Sequence, residues 1–218
     1  MPILLEQILE MPNAALLAEQ GQTALRAEQD KRQHFYEIID EQQRMEFING
    51  EIYFDSPAKF RHTKTIGLLF QLISVFVSKH QYGFVGTEKM LISLTRNDYE
   101  PDICFFEKAK SQAFTPTQMQ FPAPDLIVEV LSDSTAEKDR TTKYADYAAH
   151  GVSEYWIIDP EKEIVEQYFL QNNKYELLLK SNNGEIRSVI LPSFAIPVRA
   201  IFDEQVNLEA LTNILRDV

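Results

Sequence analysis

The sequence predicts a mixed α/β protein, with a central mixed β-sheet flanked by helices and a helical arm at the N-terminus. Three observations carry that expectation. Short apolar runs bounded by Pro, Gly, Asn or Asp occur at 90–94, 103–106, 126–131 and 155–158, and they read as strands. Around them, apolar residues recur every three or four positions over 60–80, 134–150 and 204–216, the spacing of one helix face. The order strand, helix, strand across 126–158 predicts a right-handed crossover joining a parallel pair.

Taken in order, Leu4, Leu5, Ile8 and Leu9 fall at helical spacing, and Leu16, Leu17 and Leu25 do so more loosely, which makes positions 1–35 a helical arm. Three roles are open to it: packing on the core, self-association into a homodimer, or partial disorder. Positions 45–54 read as two strands around Asn49-Gly50, a dipeptide that accepts the positive φ angles of a tight hairpin. Ile66, Leu69, Phe70, Ile73, Phe76 and Val77 mark an amphipathic helix over 60–80, and Lys59, Arg61, His62 and Lys64 crowd its start. In 134–150, Ala136, Tyr144, Tyr147 and Ala148 form a face, with Ser134 or Thr135 as the cap. Two strands about Asn172-Asn173 and a third at 186–191, after Asn182-Asn183-Gly184, predict a β-meander. The division expected is an arm at 1–35, a core at 36–203, and a C-terminal helix at 204–218 packed on the core.

Composition narrows the function. With 44% hydrophobic and 25% charged positions in 218 residues, the chain has the make-up of a globular domain. Its formal net charge of -12 repels nucleic acid and anionic membranes as a whole, so a polyanionic substrate requires a local basic surface. One exists: positions 52–96 hold six Lys/Arg (59, 61, 64, 79, 89, 96) against two acids (55, 88), a balance of +4. The single cysteine, Cys104, forms no internal disulfide and leaves no thiol set for structural zinc, which suits a reducing, cytoplasmic setting. The N-terminus has no basic lead, and no apolar run approaches the roughly 20 residues that span a bilayer, so neither a signal peptide nor a membrane span is expected.

Several chemistries drop out. There is no G-x-G-x-x-G or G-x-x-x-x-G-K-[ST] loop to cradle phosphates, no G-x-S-x-G elbow around Ser132, and no H-E-x-x-H spacing among four histidines. Carboxylates remain. Glu129 stands in the middle of the apolar run DLIVEVL, where burial demands a cation, a set of donors or a proton; alternatively its strand is an edge and the side chain faces water. Asp102 enters another apolar strand directly after Pro101. Two carboxylates on neighbouring strands suit a hard divalent cation such as Mg²⁺, which takes oxygen ligands and keeps several waters.

The order Pro101-Asp102, then Glu129 in an apolar strand, then a lysine resembles the PD-(D/E)XK nuclease superfamily. More closely, FPAPDLIVEVLSDSTAEKDRTTKYADYAAHGVSEYWIIDP, with FINGEIY, Arg61-His62 and YEPDICFF, resembles the restriction-endonuclease family called Uma-two, over roughly 35–202. That resemblance implies a restriction-endonuclease-like core and a Mg²⁺-dependent endonuclease acting on DNA, with Mn²⁺ as substitute. It implies Asp102 and Glu129 as metal ligands and Lys143, on the following helix, as the third catalytic group, because position 131 of the usual E-X-K strand holds Leu131. Lys138 is a second candidate, and Lys143 would otherwise form a surface ion pair with Asp139 four residues before it. Glu51 and His62 match family positions too, as a further metal ligand and a phosphate contact, while Lys59, Arg61 and Lys64 would bind nucleic acid. A nucleic-acid or protein interaction module that kept the nuclease fold without turnover is the alternative. A carboxylate-pair glycosidase is disfavoured because the lone Trp156 sits in an apolar strand rather than beside the acids.

Overall fold

The computed structural model describes residues 3–40, 43–54 and 56–216. Helices α1 (Ile3–Leu9) and α2 (Ala14–Ile38) form the arm, followed by a hairpin of β1 (Met45–Ile48) and β2 (Glu51–Phe54) and by α3 (Phe60–His80). Asn49 and Gly50 take φ values of 52° and 84°, the left-handed pair that a two-residue hairpin turn needs. Next come β3 (Gly83–Thr87), β4 (Leu91–Ser93), β5 (Asp98–Tyr99), β6 (Ile103–Glu107), α4 (Lys108–Ser111) and β7 (Gln120–Phe121). The crossover is β8 (Leu126–Val130), α5 (Ala136–Arg140), α6 (Thr142–Ala149) and β9 (Glu154–Asp159). The chain closes with β10 (Ile164–Gln171), β11 (Lys174–Ser181), β12 (Glu185–Arg187), β13 (Ala195–Pro197), a 3₁₀ turn at Val198–Ile201, and α7 (Glu204–Arg216).

The central sheet runs β11-β10-β9-β8-β6-β3. Within it β8 and β9 are parallel, as the crossover predicted, and the other pairs are antiparallel. Both faces are covered, which is why its middle strands read as unbroken apolar runs. Leu126, Val128 and Val130 of β8, with Trp156 and Ile158 of β9, pack against α3 and α7. The alternate residues Ile127, Tyr155 and Ile157 pack toward α6 and a second sheet, ordered β2-β1-β5-β4-β7. Period-two alternation therefore sends Glu129 to the same side as Ile127, toward α6.

Two expectations need correction. The helix over 134–150 is broken at Thr141 (φ -124°, ψ -80°), whose hydroxyl bonds the Glu137 carbonyl at 2.6 Å and competes with the helical ladder. The third strand of the meander does not join β11. Glu154 Oε2 takes the backbone N–H groups of Val189 and Ile190 at 2.9 and 3.0 Å and turns the chain away, and β12 pairs with β13 instead.

The second half of α2 is docked. Phe35 is fully buried with Met45, Phe47 and Leu91. Arg32 bonds both oxygens of Asp98 (2.6 and 2.9 Å) and the carbonyls of Leu94, Thr95 and Asn97, while Tyr36 donates to Asp98 at 2.8 Å. The first half exposes Leu16, Leu17 and Leu25. Arg32→Ala removes charge-assisted bonds worth about 1.5–3 kcal/mol. It is expected to speed limited proteolysis within α2 while leaving the central core resistant; unchanged cleavage of α2 would contradict the clamp.

Glu166 on β10 shows how the sheet fixes a residue of the crossover. Burial alone would raise its carboxyl, but bonds from Arg140 (2.6 and 3.2 Å), Lys180 (2.9 Å) and Tyr168 (2.8 Å) lower it to about 2. A carboxyl lowered on folding stabilises above its unfolded value of about 4.5, and that contribution is lost as pH falls toward 2. Glu166→Gln is therefore expected to lower Tm by roughly 2–4 °C at neutral pH, about 1 kcal/mol after solvent screening. The gap from wild type should close between these two pH values, and a gap that persists at the acid end would contradict the assignment.

Candidate active site

A cleft of about 880 Å³ opens between the segment before β1, the start of α3, and the loops that follow β8 and β9. Asp102, Glu129 and Lys143 all line it, although each is almost fully buried. Antiparallel pairing of β6 with β8 places Ile103 opposite Val128, which brings Asp102, just before β6, close to the end of β8.

Asp102 is held from three sides. Arg44 Nη1 donates to Oδ1 at 2.9 Å, the Val130 N–H donates to Oδ2 at 2.7 Å, and His62 Nε2 stands 3.5 Å from Oδ2. Burial alone would raise its pKa, yet His62, Arg44 and the Val130 amide together hold it below the usual carboxylate value. Arg44 also donates to the Glu100 carbonyl. Burial lowers the proton affinity of His62, but its bond to Asp102 outweighs that and raises it.

Glu129 sits in a different environment. Its Oε1 accepts from Lys143 Nζ at 3.1 Å and from the Tyr147 hydroxyl at 2.9 Å, and Oε2 accepts no hydrogen bond from the described residues. Lys143 is shared: Glu46 Oε1 lies 2.8 Å away and Asp139 Oδ1 3.4 Å away. One buried ammonium thus faces three buried carboxylates. Burial lowers a lysine, but Glu129, Glu46 and Asp139 more than compensate and raise Lys143, so it stays charged. Burial raises Glu129 well above its ordinary value, with Asp139, Asp102 and Glu46 reinforcing and Lys143 opposing; Asp139 is raised first by burial too. Apart from the Lys143 contact, neither of the two buried Asp139 oxygens has a well-formed hydrogen bond among the described residues. Such a cluster is short of positive charge and takes up a proton or a cation.

Among the described residues, no group of three or more His, Cys, Asp or Glu is arranged to hold a metal. Asp102 and Glu129 offer carboxylate oxygens, the donors that a hard divalent cation takes while keeping part of its water shell. Both line the one cleft, and Glu129 Oε2 is left without a hydrogen bond from the described residues.

The structure brings Asp102, Glu129, Lys143 and His62 together and puts Lys59 and Arg61 at the cleft mouth. It leaves out others. Glu51 is exposed and pairs with Lys31 of α2 at 3.1 Å. Lys64 pairs with Glu204 of α7 at 2.9 Å and does not line the cleft. Lys138 stands 3.5 Å over the Tyr53 ring rather than by Glu129. The Asp139–Lys143 pair forms, but it is buried rather than on the surface. Asp55, one of the two acids in the local charge count, lies outside the described residues. Glu46, Arg44 and Tyr147 were not anticipated. Glu46 carried a usable signal, since it stands in the apolar strand MEFI as Glu129 stands in LIVEV; Arg44 and Tyr147 carried none.

Comparison with known proteins bears on the family and the fold. The family model Uma2, described as "Putative restriction endonuclease", matches residues 32–199. A Synechocystis sp. protein described as uncharacterized is 32% identical over 149 residues, which are 66% of this chain and 83% of that protein. A solved structure from Anabaena variabilis, described as "a putative nuclease belonging to DUF820", superposes with a TM-score of 0.67 at 18% identity, covering 81% of this chain and 96% of its own. At that identity the likeness is one of fold, and the fold is the one the resemblance implied. The match to the family model begins inside α2 and runs through the hairpin, the cleft acids and the crossover to the 3₁₀ turn, and on that extent the chain belongs to the Uma2 family.

Proposed function

We propose that the protein is a divalent-metal-dependent endonuclease that hydrolyses phosphodiester bonds in DNA at this cleft. The observation that carries the reading is the buried Lys143 with its three carboxylates, set beside Asp102 in a cleft whose mouth carries Lys59 and Arg61. Structural ion pairs of this net charge are costly to bury, and a nuclease has use for both signs. Asp102 and Glu129 would hold Mg²⁺, or Mn²⁺ in its place. When bound, that ion supplies Lewis-acid polarisation of the phosphate and a more acidic water.

The chain's own groups do the rest. Arg44 and the Val130 amide lock the Asp102 carboxylate in one orientation. Hydrolysis adds a water oxygen to phosphorus and breaks one P–O ester bond, and negative charge builds on the non-bridging oxygens. The permanently charged Lys143, already fixed by its partners, offsets that charge without having to reorganise. His62, which lines the cleft beside Asp102, would contact a substrate phosphate there. Lys59 and Arg61 meet the flanking backbone.

A second reading has its own support. Asp102 and Glu129 already have cationic partners in Arg44 and Lys143, as a binding module without turnover would require. Metal binding separates the two. Calorimetry is expected to show Mg²⁺ or Mn²⁺ binding to wild type that Asp102→Asn and Glu129→Gln each weaken at least tenfold. Without metal, Glu129→Gln should be as stable as wild type or more so, because it relieves crowding among the acids. Retained affinity in both variants would overturn the metal assignment, and a sharp fall in apo Tm for Glu129→Gln would make that carboxylate structural.

Lys143 and the mouth cations should fail differently. Lys143→Ala, in protein shown by circular dichroism to be folded, is expected to slow single-turnover cleavage by about 10²–10³, as loss of one preorganised donor does, while DNA binding survives. Arg61→Ala should weaken DNA binding more than it slows single-turnover cleavage of bound DNA. Wild-type cleavage by Lys143→Ala would remove that residue from the chemistry.

A further inference from the structure

The cations at the cleft mouth are already spoken for. Lys59 Nζ lies 2.7 Å from Asp133 Oδ2 and 4.0 Å from Glu161 Oε1, and Arg61 Nη1 lies 2.9 Å from the same Glu161 oxygen. The four residues line one cleft but come from opposite sides of it. Lys59 and Arg61 belong to the start of α3, whereas Asp133 and Glu161 belong to the loops that follow the parallel strands β8 and β9. These two cations and two acids cancel one another, where the composition around the start of α3 alone had given an excess of positive charge.

We propose that Asp133 and Glu161 are specificity-determining residues that stand in for substrate phosphates, holding Lys59 and Arg61 until nucleic-acid backbone displaces them. This rests on the nuclease reading of the cleft. The side chains of all four residues are more than half exposed, at 57 and 52% for the cations and 79 and 54% for the acids. Pairs that exposed are weak and readily exchanged. A phosphate offers Arg61 a bidentate partner that a single Glu161 oxygen does not. The exchange also sets the salt dependence. When a phosphate takes a lysine from an acid, DNA releases a counterion but the freed carboxylate gathers one, and the net release at that contact is close to zero. Such a mouth discriminates against long-range attraction to any polyanion and favours a strand whose scissile phosphate also reaches Asp102 and Glu129. Lys64, paired with Glu204 outside the cleft, is the same chemistry with no substrate path beside it.

The test measures binding of a fluorescently labelled DNA duplex in EDTA across a salt series. Asp133→Asn and Glu161→Gln are each expected to tighten binding at low salt by about two- to fivefold, the strength of an exposed ion pair. Each should steepen the log–log salt slope by about 0.9. Glu204→Gln should change neither quantity, and Asp133→Asn should gain little in a Lys59→Gln background, where its partner is gone. If wild type binds and neither acid variant differs in affinity or slope, the displaced-acid idea fails and the nuclease reading stands. If neither wild type nor any variant binds DNA, both fail. A gain from Glu204→Gln equal to that from Glu161→Gln, or an undiminished gain in the Lys59→Gln background, assigns the effect to overall charge and overturns the proposal.

Discussion

The ammonium of Lys143 is the point on which the rest of the structure depends. It is buried, and its three carboxylate partners come from three parts of the chain: Glu46 from the opening hairpin, Glu129 from the central sheet and Asp139 from the first helix of the crossover. A buried charge is tolerable only when it is compensated, and removing this one ammonium would strand three buried carboxylates at a cost of several kcal/mol. The hairpin, the sheet and the crossover must therefore meet before this group can be satisfied. The contact is reinforced along β1, where the Glu100 N–H donates to Glu46 Oε1 at 3.0 Å and the Met45 N–H donates to Glu100 Oε2 at 3.0 Å. The segment that carries Asp102 is thereby tied to the segment that carries Glu46.

Around this polar centre the core is unusually rich in tyrosine. Tyr147 packs edge-on against Tyr99 and Tyr155, and Tyr144 does so against Tyr168 and Tyr175. A phenylalanine layer would pack as well but would leave polar neighbours unmet. Here the hydroxyl of Tyr147 bonds Glu129, that of Tyr155 bonds the Asp139 carbonyl, and that of Tyr175 bonds the Val152 carbonyl, all within 2.8–2.9 Å. Each ring fills apolar volume and delivers one donor to a buried acceptor. The face of the sheet toward α6 is thus both a hydrophobic core and the support of the site, whereas the face toward α3 and α7 buries a separate polar cluster in which Glu154 accepts from Trp156, Gln167 and Ser188.

The arm connects to the same frame. Its anchor, Arg32, grips Asp98 and neighbouring carbonyls on the strand segment that leads through Glu100 to Asp102. The match to the family model begins at this anchor, at residue 32, so the docking turn of α2 belongs to the shared structure and most of the arm precedes it. Beyond the anchor, α2 is bound by ion pairs such as Arg96 with Glu28 at 2.7 Å, and farther out its leucines face solvent.

What the sequence by itself determined about this protein is what local physics determines. Asn49-Gly50 specified a hairpin through left-handed φ, the three-to-four spacing of Ile66 to Val77 specified α3, and apolar runs interrupted by Glu129 marked a buried acid in a covered sheet. Those are properties of a residue and its near neighbours in the chain. Only the tertiary structure decided which charges meet. It took Glu46 rather than Glu51 into the site although the two acids share a face of the hairpin, because Glu46 lies on β1 beside β5 whereas Glu51 stands at the turn end of the edge strand β2. It buried the Asp139–Lys143 pair that helical spacing alone would leave on a surface, and it cancelled the basic start of α3 with acids from loops about 70 and 100 positions away in the chain. Pairing between charges depends on distance in space and on exclusion of water, and neither is set until the elements have packed.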